Sequence, residues 1–227
     1  MVNEEITKKI LKEELSFYHD FWKHYIELEK LFLETEKYVA ISDNNKNAYS
    51  IQYDILLQAI CAEVDIVIKR LCYEYNSASN PQNMYEYIQN ILKYDPDLID
   101  IQASLELYNM VISPWKNIGF RMVNNKEKLI EPYWWTNYTA LKHRRLTFSK
   151  SNNEFHIHER NIKNANQKNV LGALAGLFTL EIRCLHKMRE RFSKLLKNGN
   201  YPVDTIEISN MFNDSIFQKG IEIIEAL

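Results

Sequence analysis

Apolar residues recur through residues 3–39 at Ile6, Ile10, Phe17, Phe21, Tyr25, Leu28, Phe32 and Val39, close to the 3.6-residue period, with Glu and Lys between them. That pattern predicts one long amphipathic helix. Ser42-Asp43-Asn44-Asn45 breaks it with residues that prefer turns and caps. A second helix is predicted from about Ala48 to Tyr75. Its stretch from Ile55 to Leu71 is apolar on nearly every face, which marks a central, mostly buried helix. Asn80-Pro81 predicts the start of a shorter helix to about Tyr94, ended by Asp95-Pro96-Asp97. In residues 98–131 the apolar positions fit a short strand or an irregular helix. Ser113-Pro114-Trp115 and Gly119 interrupt any long element there, so an irregular insertion covering the bundle is expected. Pro132 opens a further helix to about Leu146, and a polar loop is predicted at 149–153. A long helix then spans residues 161–198 and stops at Asn198-Gly199.

Within that last helix, Gly172-Ala173-Leu174-Ala175-Gly176 sets small residues on adjacent turns, where another helix can approach closely. The tail, residues 200–227, is apolar enough at 203–208 and 216–227 to dock. No repeat and no linker-like composition divides the chain. The pattern predicts one all-α domain over residues 1–227, a helical bundle with its core in residues 3–197.

Composition narrows this further. At 227 residues and 46% hydrophobic, the chain has enough material for a core. Five Gly and five Pro are too few for the turns of a sandwich or barrel. Cys61, Cys72 and Cys184 form no CxxC pair and suit reduced thiols, which points to a cytoplasmic chain without a zinc site. The longest uncharged apolar run, Val170 to Leu180, falls short of the roughly 20 residues a membrane span needs, and the acidic start offers no targeting segment. A soluble protein is expected, with no membrane partner.

Net charge is −2, yet its distribution is uneven. Residues 142–197 hold thirteen Lys and Arg against four Glu, a surplus of nine. Two readings follow: one face is positive enough to attract a polyanion, or the two halves neutralise each other across the bundle. On the first reading Lys142, Lys150, Arg160, Arg183 and Lys187 are candidates for binding RNA.

The densest group of chemical side chains is Pro132-Tyr133-Trp134-Trp135-Thr136-Asn137-Tyr138-Thr139-Ala140-Leu141-Lys142-His143-Arg144-Arg145. Trp134, Tyr138 and Leu141 share a face by spacing and are expected in the core. His143 lies on a more polar stripe with Thr136 and Thr139. Imidazole takes up and returns a proton near neutral pH, and neighbouring Arg144 and Arg145 can hold a phosphate beside it. That pairing suits cleavage of RNA, in which a base removes the 2′-hydroxyl proton while guanidinium groups stabilise phosphate charge. The competing reading is capping: cations in a last helical turn also interact favourably with the helix dipole. Glu63 stands in the apolar run Ile60-Cys61-Ala62-Glu63-Val64 and requires a basic partner from another helix, for which Arg145 or His143 is the expectation. His156-x-His158, in a polar segment with no third ligand nearby, reads as solvated loop, so neither a metal nor an organic cofactor is called for.

The long first helix, the second helix reading QAICAEVDIVIKRLC and the later NYTALKHRR before a small-residue-rich helix resemble HEPN-like bacterial proteins, including abortive-infection and toxin members. The resemblance extends in layout over residues 1–197. It implies an α-helical bundle that forms homodimers and, in active members, a metal-independent ribonuclease built on an R-x4–6-H motif. His143 matches the motif histidine. No Arg stands between Thr136 and Tyr138, where the motif arginine belongs, and Asn137 occupies the x5 position. The resemblance therefore implies one of two roles in phage defence or stress response. In the first, His143 is base or acid, Arg144 and Arg145 hold the phosphate, Asn137 hydrogen-bonds it and Glu63 orients the cations. In the second, the protein is a non-catalytic module that binds RNA or a regulatory protein partner, in the manner of an antitoxin. A third expectation, from the aromatics of residues 133–138, is a small-molecule pocket.

Overall fold

The computed structural model describes residues 2–151 and 154–195. The predicted first helix is present as α1 (Val2–Phe17) and α2 (Lys23–Glu34), joined without a break by a π-helical turn at Tyr18–Trp22. The wider turn adds a residue and rotates the stripe, and Trp22 is fully buried there against Tyr25. α3 (Ile51–Tyr75) starts at Ser50, whose side-chain oxygen accepts from the Tyr53 backbone N–H at 3.0 Å.

α4 (Met84–Tyr94) begins three residues later than Asn80-Pro81 suggests. Asn83 and Glu86 make a reciprocal cap: the Glu86 N–H donates to the Asn83 side chain at 3.1 Å, while the Glu86 carboxylate receives the Gln82 N–H at 2.7 Å. After a 3-10 turn at Pro96–Asp100, the insertion resolves into two hairpins, β1 (Ala103–Leu105) with β2 (Met110–Ile112) and β3 (Gly119–Val123) with β4 (Lys126–Ile130). Asn124 and Asn125, both at positive φ, make the tight turn of the second.

α5 (Tyr133–Arg144) leads into a third hairpin, β5 (Leu146–Ser151) with β6 (Glu154–Arg160), where the sequence predicts a polar loop. His156 and His158 therefore lie on a strand. Residues 161–164 form a 3-10 turn, and α6 (Gln167–Leu195) follows. The protein is thus mostly helical rather than all-α, with three two-stranded antiparallel sheets among the described residues. The predicted tail of residues 200–227 lies outside them.

α6 is the axis of the fold. Every residue from Val170 to Ile182 is buried. It runs alongside α3 in the same direction: Gln167 reaches Tyr53, Cys184 reaches the Val67 carbonyl and Arg191 reaches Glu74. The expected close approach at Gly172 and Gly176 is made by α5. A Cβ at Gly172 would collide with the Tyr133 hydroxyl, and one at Gly176 would sit 2.8 Å from the Trp134 ring. The insertion is anchored in the same place. Trp115, fully buried, donates its indole N–H to Thr179 at 2.9 Å, and Trp134 donates to the Pro114 carbonyl at 3.0 Å.

One expectation about α3 fails. Its side toward α6 is sealed, but Ile51, Ile55, Ile66 and Tyr73 are 74%, 56%, 53% and 51% exposed. The helix is half-buried, with an apolar stripe open to solvent.

Candidate functional site

The cationic end of α5 is in water. Lys142, His143, Arg144 and Arg145 are all exposed, while Trp134, Tyr138 and Leu141 are buried as the spacing predicts. β6 and the following 3-10 turn are tied to this end through Asn161. Its backbone N–H donates to the Arg145 carbonyl at 3.0 Å, and its side-chain amide donates to the Arg144 carbonyl at 2.6 Å. These bonds satisfy carbonyls that a helix end leaves without partners. They also set Arg160 next to Arg145, since Arg160 pairs in register with Leu146.

Not all the predicted site residues converge here. Arg145 makes an ion pair with Asp54 at 2.9 Å, and Asp54 is buried, so this guanidinium positions α5 on α3. Asp54 is therefore the partner that the sequence reading assigned to Glu63. An acid in the first turn of a helix reads as a dipole residue, which hides its second role. Glu63 sits on another side of α3, its carboxylate 3.6 Å from the Nδ1 of His24 on α2. It orients none of the α5 cations. Burial raises its pKa, and the His24 charge acts against that shift. The Asn137 amide is engaged as well: it donates to the Tyr133 carbonyl at 2.9 Å and to the Asn169 side chain at 3.2 Å, joining α5 to α6.

Two predicted RNA-binding cations are also committed elsewhere. Arg183 is 13% exposed and pairs with Asp95 at 3.3 Å, which in turn accepts from the Tyr75 hydroxyl at 2.6 Å. Burial and that carboxylate push the Tyr75 phenol upward. Lys187 pairs with Glu190 at 2.9 Å and lies over the Tyr75 ring. Further along α6, Arg189 meets Glu14 at 3.0 Å, and Arg191 meets Glu13 at 3.0 Å and Glu74 at 3.2 Å. Along this half of α6 the acidic and basic parts of the chain neutralise each other across the bundle. Lys150 lies on β5, and its side chain is outside the described residues.

What remains is a set of exposed cations near the two ends of α5. Lys142, His143 and Arg144 continue into exposed Arg160 and Lys163, and exposed Lys168 lies at the other end of α5 with its ammonium 5.1 Å from the Tyr133 ring. The backbone N–H of Lys168 donates to the carbonyl of Lys46, another exposed cation, at 2.9 Å. Lys46 has no place among the sequence-predicted candidates, and Lys163 and Lys168 enter there only as part of the basic surplus of residues 142–197. For the latter two a signal exists: no acid occurs between Glu159 and Glu181. At 1.5 Å per residue α5 is about 18 Å long, enough to follow several phosphates.

The remaining chemistry is limited. Burial pushes the Cys72 thiol up to about 12 and the Cys61 and Cys184 thiols well above their ordinary value, so these are not thiolate nucleophiles. No group of three or more His, Cys, Asp or Glu among the described residues is placed to hold a metal ion. No described helix is long and apolar enough to cross a membrane. Of the aromatics of residues 133–138, Tyr133 and Trp134 pack against the glycines of α6, Trp134 and Tyr138 are buried, and Trp135 lies against both of these. Glu181 is a buried carboxyl the sequence reading did not single out, although a lone acid in the apolar run around it was there to see. Comparison with protein-family models, characterised proteins and solved structures finds no match to this chain.

Proposed function

We propose that this is a HEPN-like protein that acts on RNA through the exposed cations about α5, in the cytoplasm and in phage defence or stress response. One observation carries the reading. Among the cations of residues 142–197, those of α6 beyond residue 180 are largely paired, whereas Lys142, Arg144, Arg160 and Lys163 are exposed at the His143 end of α5 and Lys168 at its other end. Exposed cations of this kind bind sugar-phosphate backbone, which is where most nucleic-acid affinity originates.

In the cleaving form of this reading, the His143 imidazole takes the 2′-hydroxyl proton and the freed oxygen attacks phosphorus. The 5′-oxygen leaves with a proton from the imidazolium, and a 2′,3′-cyclic phosphate remains. Arg144, not Arg145, is the guanidinium available to the phosphate, since Arg145 is held by Asp54. The engaged amide of Asn137 and the distant position of Glu63 favour a second reading, the non-catalytic binding module.

Purified protein mixed with single-stranded RNA in EDTA tests both. Cleavage that yields cyclic phosphate ends and falls at least 10²-fold in His143→Ala supports the enzyme. Binding without cleavage supports the module. In either case Lys142→Glu with Arg144→Glu must weaken binding and lower the salt slope by about 1.4, since each phosphate left without its cation on a single strand removes roughly 0.7. RNA affinity untouched by that charge reversal would refute both readings.

A further inference from the structure

The segment that leads into α3 presents an aromatic ring to water among cations. Residues 46–50 run beside the start of α6. Lys168 and Gln167 donate their backbone N–H groups to the carbonyls of Lys46 and Ala48 at 2.9 and 3.0 Å. The Ser50 N–H donates to the Ala165 carbonyl at 3.2 Å, and Tyr49 forms an antiparallel bridge with Asn166. The backbone at Tyr49 is thus fixed on both sides, yet its side chain is 58% exposed. Neither its ring nor its hydroxyl has a partner among the described residues. The tyrosines of α5 are not free in this way: ammonium groups of Lys168 and Lys142 lie 5.1 and 5.6 Å from the ring centroids of Tyr133 and Tyr138.

Exposed cations flank this backbone. Lys46 stands three residues before Tyr49, and Lys163 and Lys168 lie on the segment paired with it. Asp43 is the single acid between residues 37 and 54. Asp54, in the first turn of α3, holds Arg145 at the cationic end of α5. At 1.5 Å per residue Ser50 and Asp54 are about 6 Å apart along the helix, so Tyr49 lies within a few nucleotides' length of that end. We infer that Tyr49 is a stacking platform for an unpaired base of RNA, and that it makes this surface select single strand over duplex. The inference rests on the proposed binding of RNA and names the form of RNA bound. A base laid on the ring removes apolar area from water while the cations on either side neutralise phosphates of the same strand. In a duplex the base faces are already stacked on one another, and the cations meet backbone alone. Phosphate contacts by themselves do not tell the two forms apart, so the ring supplies the discrimination.

Fluorescence anisotropy of the full chain tests this with a short labelled 2′-O-methyl RNA, used alone or annealed to its complement. That RNA has no 2′-hydroxyl proton to lose and stays intact on the proposed route. Tyr49→Ala is expected to weaken binding of the single strand about tenfold, with duplex affinity and salt slope unchanged, while Tyr49→Phe binds as wild type does. An abasic strand of the same length should bind wild type and Tyr49→Ala equally. Should Tyr49→Ala fail to fold by circular dichroism, Tyr49→Leu, with apolar bulk but no ring, replaces it. Equal losses on single strand and duplex, no loss on either, or a loss that persists on the abasic strand would overturn the stacking role. The RNA reading would survive those results provided that Lys142→Glu with Arg144→Glu weakens binding. Wild type that binds neither form, or charge reversal without effect, would remove the RNA reading and the role of Tyr49 with it.

Discussion

Glu181→Gln should stabilise the protein, and by an amount that depends on pH. The Glu181 side chain is fully buried on α6, and neither carboxylate oxygen has a hydrogen-bond partner. Burial pushes its pKa well above the ordinary value, and the nearby Glu63 carboxylate pushes it further. The folded state therefore retains a proton that the unfolded chain releases above about pH 4.5. Unfolding then releases a proton, and stability falls as pH rises, by about 1.4 kcal/mol per unit, until the folded group itself ionises. Below pH 4.5 the two states bind the same proton and the linkage contribution is constant. Glutamine has nearly the shape of the protonated acid and cannot ionise. The variant should gain on wild type as pH rises above about 4.5, at about 1.4 kcal/mol per unit for as long as Glu181 holds its proton. Urea titrations of both proteins at intervals between pH 4.5 and 7.5 measure this, with the difference between them cancelling the other titrating groups. A difference that stays flat across that range, or a variant less stable at pH 7, would refute the account.

Two further outcomes follow from the packing. Gly176→Ala adds a better helix former, worth up to about 1 kcal/mol, yet its methyl falls 2.8 Å from the Trp134 ring. Overpacking of about 1–3 kcal/mol should win, so the melting temperature falls. Arg183→Met should cost about 3–5 kcal/mol in a urea titration, since it leaves Asp95 buried without its cation. The folded fraction should bind RNA as wild type does; weaker binding would return Arg183 to the interface.

The helices were legible because their signals are local: period, caps and breakers lie within a few residues of one another. Asn83 and Glu86 show the limit of that method, since Asn80-Pro81 competes as a start and only the reciprocal cap decides. The hairpin at 146–160 was missed although its strands alternate, Leu146 with Phe148 and Phe155 with Ile157, because each alternation is short and the polar run between them reads as loop. Charge was harder still. Composition shows that residues 142–197 are basic, but whether a given Arg is free depends on pairs such as Arg191 with Glu13, far apart in the chain. For the same reason Asp54 rather than Glu63 holds Arg145: two acids one helix face apart look alike in sequence. The exposed stripe of α3 was legible as apolar but not as uncovered, because hydropathy does not say which surface does the covering.

The central position of α6 has a consequence for synthesis. It is the last of the described elements to be translated, and α1, α2, α3 and α5 all pack against it. Until it emerges, the apolar sides of those helices that face it stay uncovered, although α2, α4 and α5 can already meet α3. At about 5–20 residues per second the ribosome takes roughly ten seconds or more to deliver 195 residues. For that interval the nascent chain exposes its future interior, and this fold completes itself only after most of the chain has been made.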